Sequence, residues 1–177
     1  FDWQQYVSGA TPIEDLGGLE HFRNLESLDL SLHAITDITP LASLTELTQL
    51  ALNGNPIADI APLAGLTKLK VLTLAGCAAR DYSPLAKLND LELLMLDNST
   101  IADTAPLASL TSLKRLYLEG CELDYSPLAD IYPNLEDKDF VIKPEPSTLA
   151  EFGFVMDGDG NHAVYDNEQV SVRINHI

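Results

Sequence analysis

The chain has 177 residues, enough for one domain or for one domain with a small appendage. Its 10 Lys and Arg stand against 27 Asp and Glu, a formal charge of −17; such a surface repels phosphate backbones and anionic lipid, which argues against nucleic-acid binding. Hydrophobic content is an ordinary 46%, and no apolar run approaches the roughly 20 residues needed to cross a bilayer, so no membrane insertion is expected of this segment.

Phe1 at the start, in place of Met, fits a processed or trimmed chain. Residues 1–12 read as an N-terminal cap, with Trp3 and Tyr6 covering the first layer of a core. Ile13, Leu16, Leu19 and Phe22 then open a pattern that recurs every 22 residues. Leu28, Leu50, Leu72, Leu94 and Leu116 form one column of it; Leu30, Leu52, Leu74, Leu96 and Leu118 form the next; Leu25, Leu47, Leu69, Leu91, Leu113 and Leu135 form a third. A period of 20 to 30 residues carrying L-x-x-L-x-L marks a stacked solenoid, in which each repeat buries its apolar face against its neighbours.

Within each repeat, L-x-L supplies a short strand with both leucines inward and the residue between them outward. Each strand is followed by a crossover back to the same side, so the strands are expected to be parallel and the coil right-handed. Pro40, Pro62, Pro84, Pro106 and Pro127 mark short helical turns on the convex side, because proline fixes φ and lacks a donor. The small Ala42, Ala64, Ala86, Ala108 and Ala129 follow them. Asp15, Asp37, Asp59, Asp81 and Asp103 stand in an unbroken column just ahead of these turns. Stacked like charges repel, and bonds from each carboxylate to N–H groups of the following turn are the expected compensation, in preference to a ladder of bound cations.

The position that would carry an asparagine ladder reads Thr11, His33, Asn55, Cys77, Ser99 and Cys121. His33 is expected to be a partly exposed histidine; His21, His162 and His176 share no ligand-like spacing with it. Cys77 and Cys121 lie two periods apart, roughly 9.6 Å if neighbouring strands are about 4.8 Å apart. A disulfide needs less than about 7 Å, so two free, buried thiols are expected. From Cys121 to Pro127 the repeat is one residue short, and from Ile131 to Leu135 one long, so Leu135 returns to phase. A last strand is expected near Asp139 to Ile142.

Lys143-Pro-Glu-Pro-Ser147 is a junction. Residues 144–177 are expected to form a small helix and β-hairpin element, either a cap or the start of a further domain. Thr148 with Glu151 signals a brief helix, and Val170, Val172 and Ile174 alternate as in a half-buried strand. Asp157-Gly-Asp-Gly-Asn161 with Glu168 has part of a calcium-loop spacing. However, His162 stands where the sharp turn needs glycine, and Asp-Gly pairs are strong hairpin signals. A plain turn is the preferred reading.

No catalytic constellation is present: there is no G-x-S-x-G, H-E-x-x-H or phosphate loop, and neither an enzyme nor a metal or other cofactor is expected. The concave face reads off the columns directly. In the last three full repeats Val71, Thr73, Leu93, Met95 and Tyr117 stand together, bordered by Asp97, Arg115 and Glu119. An apolar cluster with a charged rim is the anatomy of a protein-binding patch. A structural spacer with no ligand on these repeats is the alternative.

The stretch Ile57-Ala-Asp-Ile-Ala-Pro-Leu-Ala-Gly-Leu-Thr-Lys-Leu69 resembles the 22-residue leucine-rich repeat of bacterial internalin-type proteins, and the resemblance extends over residues 13–142. It implies a secreted or surface-attached bacterial protein whose concave face engages a protein partner. The expected fold is α/β: a right-handed leucine-rich-repeat solenoid over 1–143 with a parallel concave sheet and short 3-10 convex turns, followed by a small α+β appendage over 144–177.

Overall fold

The computed structural model describes residues 11–121 and 123–142, together with three later strands. The chain divides into two compact units, 1–142 and 143–177.

The first unit is built on one sheet of six parallel strands in sequence order: β1 (Ser27–Asp29), β2 (Gln49–Ala51), β3 (Val71–Thr73), β4 (Leu93–Met95), β5 (Arg115–Tyr117) and β6 (Asp137–Lys138). Each residue pairs with the one 22 positions on: Leu28 with Leu50, Leu50 with Leu72, Leu72 with Leu94, Leu94 with Leu116. Constant offset follows from the leucine columns, because a one-residue slip would turn every strand leucine outward. Leu50, Leu72, Leu94 and Leu116 are buried, as are Leu52, Leu74, Leu96 and Leu118 and the convex leucines Leu41, Leu63, Leu85 and Leu107.

The last strand is β6 at Asp137–Lys138, not the expected 139–142. It keeps the 22-residue offset, Arg115 opposite Asp137 and Leu116 opposite Lys138, so Lys138 takes the place of a strand leucine and hides the strand from a leucine count. Phe140 fills the next inward column and closes the end of the core, its ring 4.8 Å from Tyr125 and 5.8 Å from Tyr132. The Lys138 ammonium lies 4.4 Å above the Tyr132 ring. At the opposite end Leu16 is buried, but Ile13 and Phe22, which share columns with buried Ile35 and Leu44, are exposed. Their end coil has a described neighbour on one side only.

Convex turns are single 3-10 segments, among them Thr39–Ser43, Ala61–Gly65, Ser83–Lys87 and Ala105–Ser109, each with proline in its first two positions. The aspartate column acts one residue ahead of the cap. Asp37, Asp59, Asp81 and Asp103 accept N–H bonds of 2.8 Å from Thr39, Ala61, Ser83 and Ala105, and Asp124 repeats the bond to Ser126. The hydrogen bonds from Thr39 hold the Asp37 carboxyl below its ordinary value, and those from Ser83 do so for Asp81.

The degraded asparagine column keeps its function. Asn55 Nδ2 donates to Leu30 O at 2.7 Å, Cys77 Sγ to Leu52 O at 3.7 Å, Ser99 Oγ to Leu74 O at 2.9 Å and Cys121 Sγ to Leu96 O at 3.4 Å. Each donor ties its coil to a main-chain carbonyl of the preceding one. Both thiols are free and buried. His33 is half-buried and accepts the Ile13 N–H at 3.4 Å.

Beyond each strand the chain passes through the left-handed region: Leu32, Gly54, Gly76, Asn98 and Gly120 have φ of 63°, 66°, 72°, 55° and 75°. A Cβ on Gly76 would meet nothing closer than the Gly54 backbone at 3.9 Å, so the requirement there is conformational, not steric.

The second unit carries a three-stranded antiparallel sheet, β7 (Phe154–Met156), β8 (His162–Asn167) and β9 (Val170–Asn175). Met156 pairs with Ala163, so the strands flanking the Asp-Gly stretch run antiparallel, as the turn reading requires. β9 falls where Val170, Val172 and Ile174 alternate. Trp3, Tyr6, the brief helix after Thr148, residues 157–161 and Glu168 lie outside the described residues.

Two predictions follow from the burial and the backbone. Leu72→Ala or Leu94→Ala should cost roughly 2–5 kcal/mol in urea melts; a loss under about 0.5 kcal/mol, the size of a surface substitution, would contradict the packing. Gly76→Ala, which adds a methyl group into open space, should still cost about 1–2 kcal/mol because an L-residue is disfavoured at positive φ, and Gly76→Asn should recover part of the loss.

Candidate functional site

The outer face of the parallel sheet brings the sequence-predicted residues together. Val71, Leu93 and Arg115 stand in one row across β3, β4 and β5; Thr73, Met95 and Tyr117 form the next row. Asp97 and Glu119 follow two residues past Met95 and Tyr117, beyond the strand ends. Adjacent members of a row are about 4.8 Å apart, so the eight residues make one continuous patch. Val71, Thr73, Leu93, Met95 and Tyr117 are half-buried, not fully exposed, while Arg115 and Glu119 are exposed. The reason is the shared register: each side chain stands beside its equivalent in the adjoining coil and covers part of it.

At one end of the patch the tyrosine is anchored. Tyr117 Oη donates to Asp137 Oδ2 at 2.7 Å, and this bond holds the phenol above its ordinary pKa. Asp137 escaped the sequence reading because its strand was placed two residues too late.

Past the strands the ladder continues through the left-handed residues. Leu32 N–H reaches Asn53 O at 2.7 Å, Gly54 N–H reaches Ala75 O at 2.8 Å, Gly76 N–H reaches Asp97 O at 2.8 Å and Asn98 N–H reaches Glu119 O at 2.7 Å. Past β5 the next coil, that of β6, offers a side chain in place of a main-chain carbonyl. Asp139 accepts from Leu118 N–H at 2.7 Å through Oδ1 and from Glu119 N–H at 2.9 Å through Oδ2. Asp97 Oδ1 accepts from the same Glu119 N–H at 3.0 Å. Two carboxylates therefore converge on one donor. Burial, with the neighbouring Asp139 and Glu119 carboxylates, holds Asp97 above the ordinary carboxylate range despite the bond from Glu119.

The same border holds a groove of about 690 Å³ running across the first four coils. Its floor is Leu32, Gly54, Ala75 and Gly76; Asn53 and Asn98 stand along it; Asp29 lies at one end and Met95 with Asp97 at the other. Asn53 is locked in place, donating to Thr73 Oγ1 at 2.7 Å and accepting from Ala75 N–H at 2.9 Å. The groove overlaps the predicted patch only at Met95 and Asp97. The signal that points to it is the period-22 column Leu32, Gly54, Gly76 and Asn98, in which the two glycines leave room on the border of the sheet.

The opposite border is electrostatically different. Lys70, Glu92, Lys114 and Glu136 alternate there around a hollow of about 590 Å³, and Lys114 pairs with Glu92 at 3.5 Å. Lys68 and Glu46 form a further cross-coil pair at 2.6 Å. Among the described residues no group of three His, Cys, Asp or Glu is arranged to hold a metal ion, and no helix is long and apolar enough to cross a membrane.

The fold matches known proteins. A leucine-rich-repeat family profile matches residues 21–38. An internalin of Listeria monocytogenes, InlF, superposes with a TM-score of 0.71 at 33% sequence identity, over 75% of this chain and 39% of its own. Internalin C2 of the same organism does so with a TM-score of 0.69 at 38% identity, over 73% of this chain and 57% of its own. The chain is an internalin-type leucine-rich-repeat protein. A leucine-rich-repeat protein of Leptospira interrogans shares the fold alone, with a TM-score of 0.63 at 21% identity. Comparison with curated protein sequences found no match. This internalin-type chain spans about two fifths of InlF and under three fifths of internalin C2.

The carboxylate pair sets a pH dependence. Asp97 is favoured in its protonated form by the fold, so the stability it contributes is present below its ordinary value and lost as pH rises through the raised one. Asp97→Asn keeps an acceptor for Glu119 N–H and removes the charge. Its Tm should exceed that of the parent at about pH 7 and converge with it below about pH 4. A constant difference across that range would show that the pair is not strained by charge. Asp37, Asp81 and Asp124, whose carboxyls are held low by hydrogen bonds, carry the opposite sign, but they are shared by both proteins and cancel in the comparison.

Proposed function

We propose that this chain is the protein-recognition module of a secreted or cell-surface bacterial protein, and that it engages a partner protein through the outer, concave face of its parallel sheet. The observation that carries this reading is the row structure of the patch: register places Leu93, Met95 and Tyr117 shoulder to shoulder, with Arg115, Asp97 and Glu119 around them. Half-buried apolar side chains surrounded by charge lose little entropy on docking and exclude water from the centre of a contact. The strands that carry the patch, β3, β4 and β5, are each paired on both sides. Leucine-rich-repeat domains are commonly protein-binding modules, and the internalin relationship supports a bacterial surface or secreted setting. An acidic charge of −17 favours partners with basic surfaces by long-range steering.

Met95→Glu, and separately Tyr117→Ala, should each reduce capture of a protein partner by the immobilised chain at least about tenfold, the effect of losing a central anchor. Asp130→Asn, an exposed change elsewhere, should leave it unaltered. Equal capture by all of these, with folding verified by circular dichroism, would remove this face as the binding surface.

A further inference from the structure

The groove along the border of the sheet has a distinct chemistry. Its charged lining residues are Asp29 and Asp97, one at each end, and no Lys or Arg lines it. Asp97 shares a donor with Asp139, and Glu119 follows. The ion pairs formed among the described residues, Lys68–Glu46, Lys114–Glu92 and the contact of His21 with Glu20, all lie elsewhere. The opposite border neutralises its carboxylates with Lys70 and Lys114; this one does not. The floor between the two aspartates includes Ala75 and Gly76, low enough for a backbone to approach, while the Leu32 side chain lies over Gly54.

We propose that this groove receives an extended, basic segment of the partner protein, with two cationic side chains seated at Asp29 and Asp97 and small residues between them. The proposal rests on the protein-recognition reading above and names the chemistry of its partner. Asp29 and Asp97 are separated by three strand spacings, about 14 Å, with a further offset of two residues along the strands. An extended chain rises about 3.4 Å per residue and returns a side chain to the same face every second residue. The two aspartates are thus roughly 16 Å apart; cations at positions i and i+4, whose Cα atoms are about 14 Å apart, reach both through their long side chains, while the residues between them must be small to lie over Ala75 and Gly76. An Arg or Lys near Asp97 would also relieve the repulsion between that carboxylate and Asp139, so the site gains from occupancy beyond the contact itself.

The test uses the full chain and two capped peptides, Lys-Ala-Gly-Ala-Lys and Glu-Ala-Gly-Ala-Glu, titrated to millimolar concentration while amide resonances are followed by NMR. The lysine peptide should shift the Gly54, Gly76 and Asn98 amides saturably, and the glutamate peptide should not. Asp29→Asn with Asp97→Asn should weaken the lysine peptide at least about fivefold, the loss of two exposed ion pairs. The control Asp90→Asn with Asp130→Asn, which has the same net charge, should stay within about twofold. Equal weakening by both pairs, shifts scattered over the acidic surface, or no saturable shift would each overturn the proposal. Failure here is separable from failure of the recognition reading: if Tyr117→Ala, outside the groove, abolishes partner capture while the groove variant retains it, the sheet face stands and the groove falls.

Discussion

Parallel pairing at a fixed 22-residue offset is the constraint on which the rest of this molecule depends. A single coil exposes its leucines on both flanks and cannot fold alone; only the next coil, set down in identical register, completes the burial. The same offset aligns the donors of one coil with the carbonyls of the preceding one, from Asn55 to Leu30, Cys77 to Leu52, Ser99 to Leu74 and Cys121 to Leu96. It also stacks like charges, and the aspartate column tolerates that because each carboxylate turns to its own coil's N–H instead of its neighbour.

A structure that repeats must also stop. At the C-terminal end of the sheet the stop has two parts. Asp139, just past β6, gives Leu118 N–H a side-chain carboxylate where Leu96 N–H meets a main-chain carbonyl, and takes Glu119 N–H as well; Phe140, Tyr125 and Tyr132 pack at the same end of the leucine spine. An unpaired strand edge invites association with other chains; here the edge β6 is two residues long and carries Asp137 and Lys138, which leaves little backbone to recruit.

Where the signal was periodic, the fold was legible. The leucine, proline and aspartate columns each recur at one spacing, and each had one physical role that a reader could name. Legibility failed where the periodic residue was replaced. Lys138 stands at a leucine position, so β6 was placed two residues late and Asp137, the partner of Tyr117, was missed with it. Ile13 and Phe22 fit the pattern but lie at an end, where periodicity says nothing about how many neighbours a coil has. The patch of Leu93, Met95 and Tyr117 followed from alternation along each strand, although its half-burial did not, because that depends on side chains leaning on the adjoining coil. The groove was harder still. It is made by Leu32, Gly54 and Gly76 turning through positive φ, and a column that mixes Leu, Gly and Asn does not look like a column until its backbone is seen.

The donor column has one more consequence. Cys77 and Cys121 sit on alternate coils, each thiol directed at a carbonyl, and burial pushes Cys77 up to about 11 and raises Cys121 as well. Only the deprotonated sulfur attacks oxidants or alkylating agents. Both residues are therefore chemically silent while the stack is closed and become reactive when neighbouring coils part. Labelling of either thiol would thus report the parting of neighbouring coils, at Cys77 midway along the sheet and at Cys121 near its last strand.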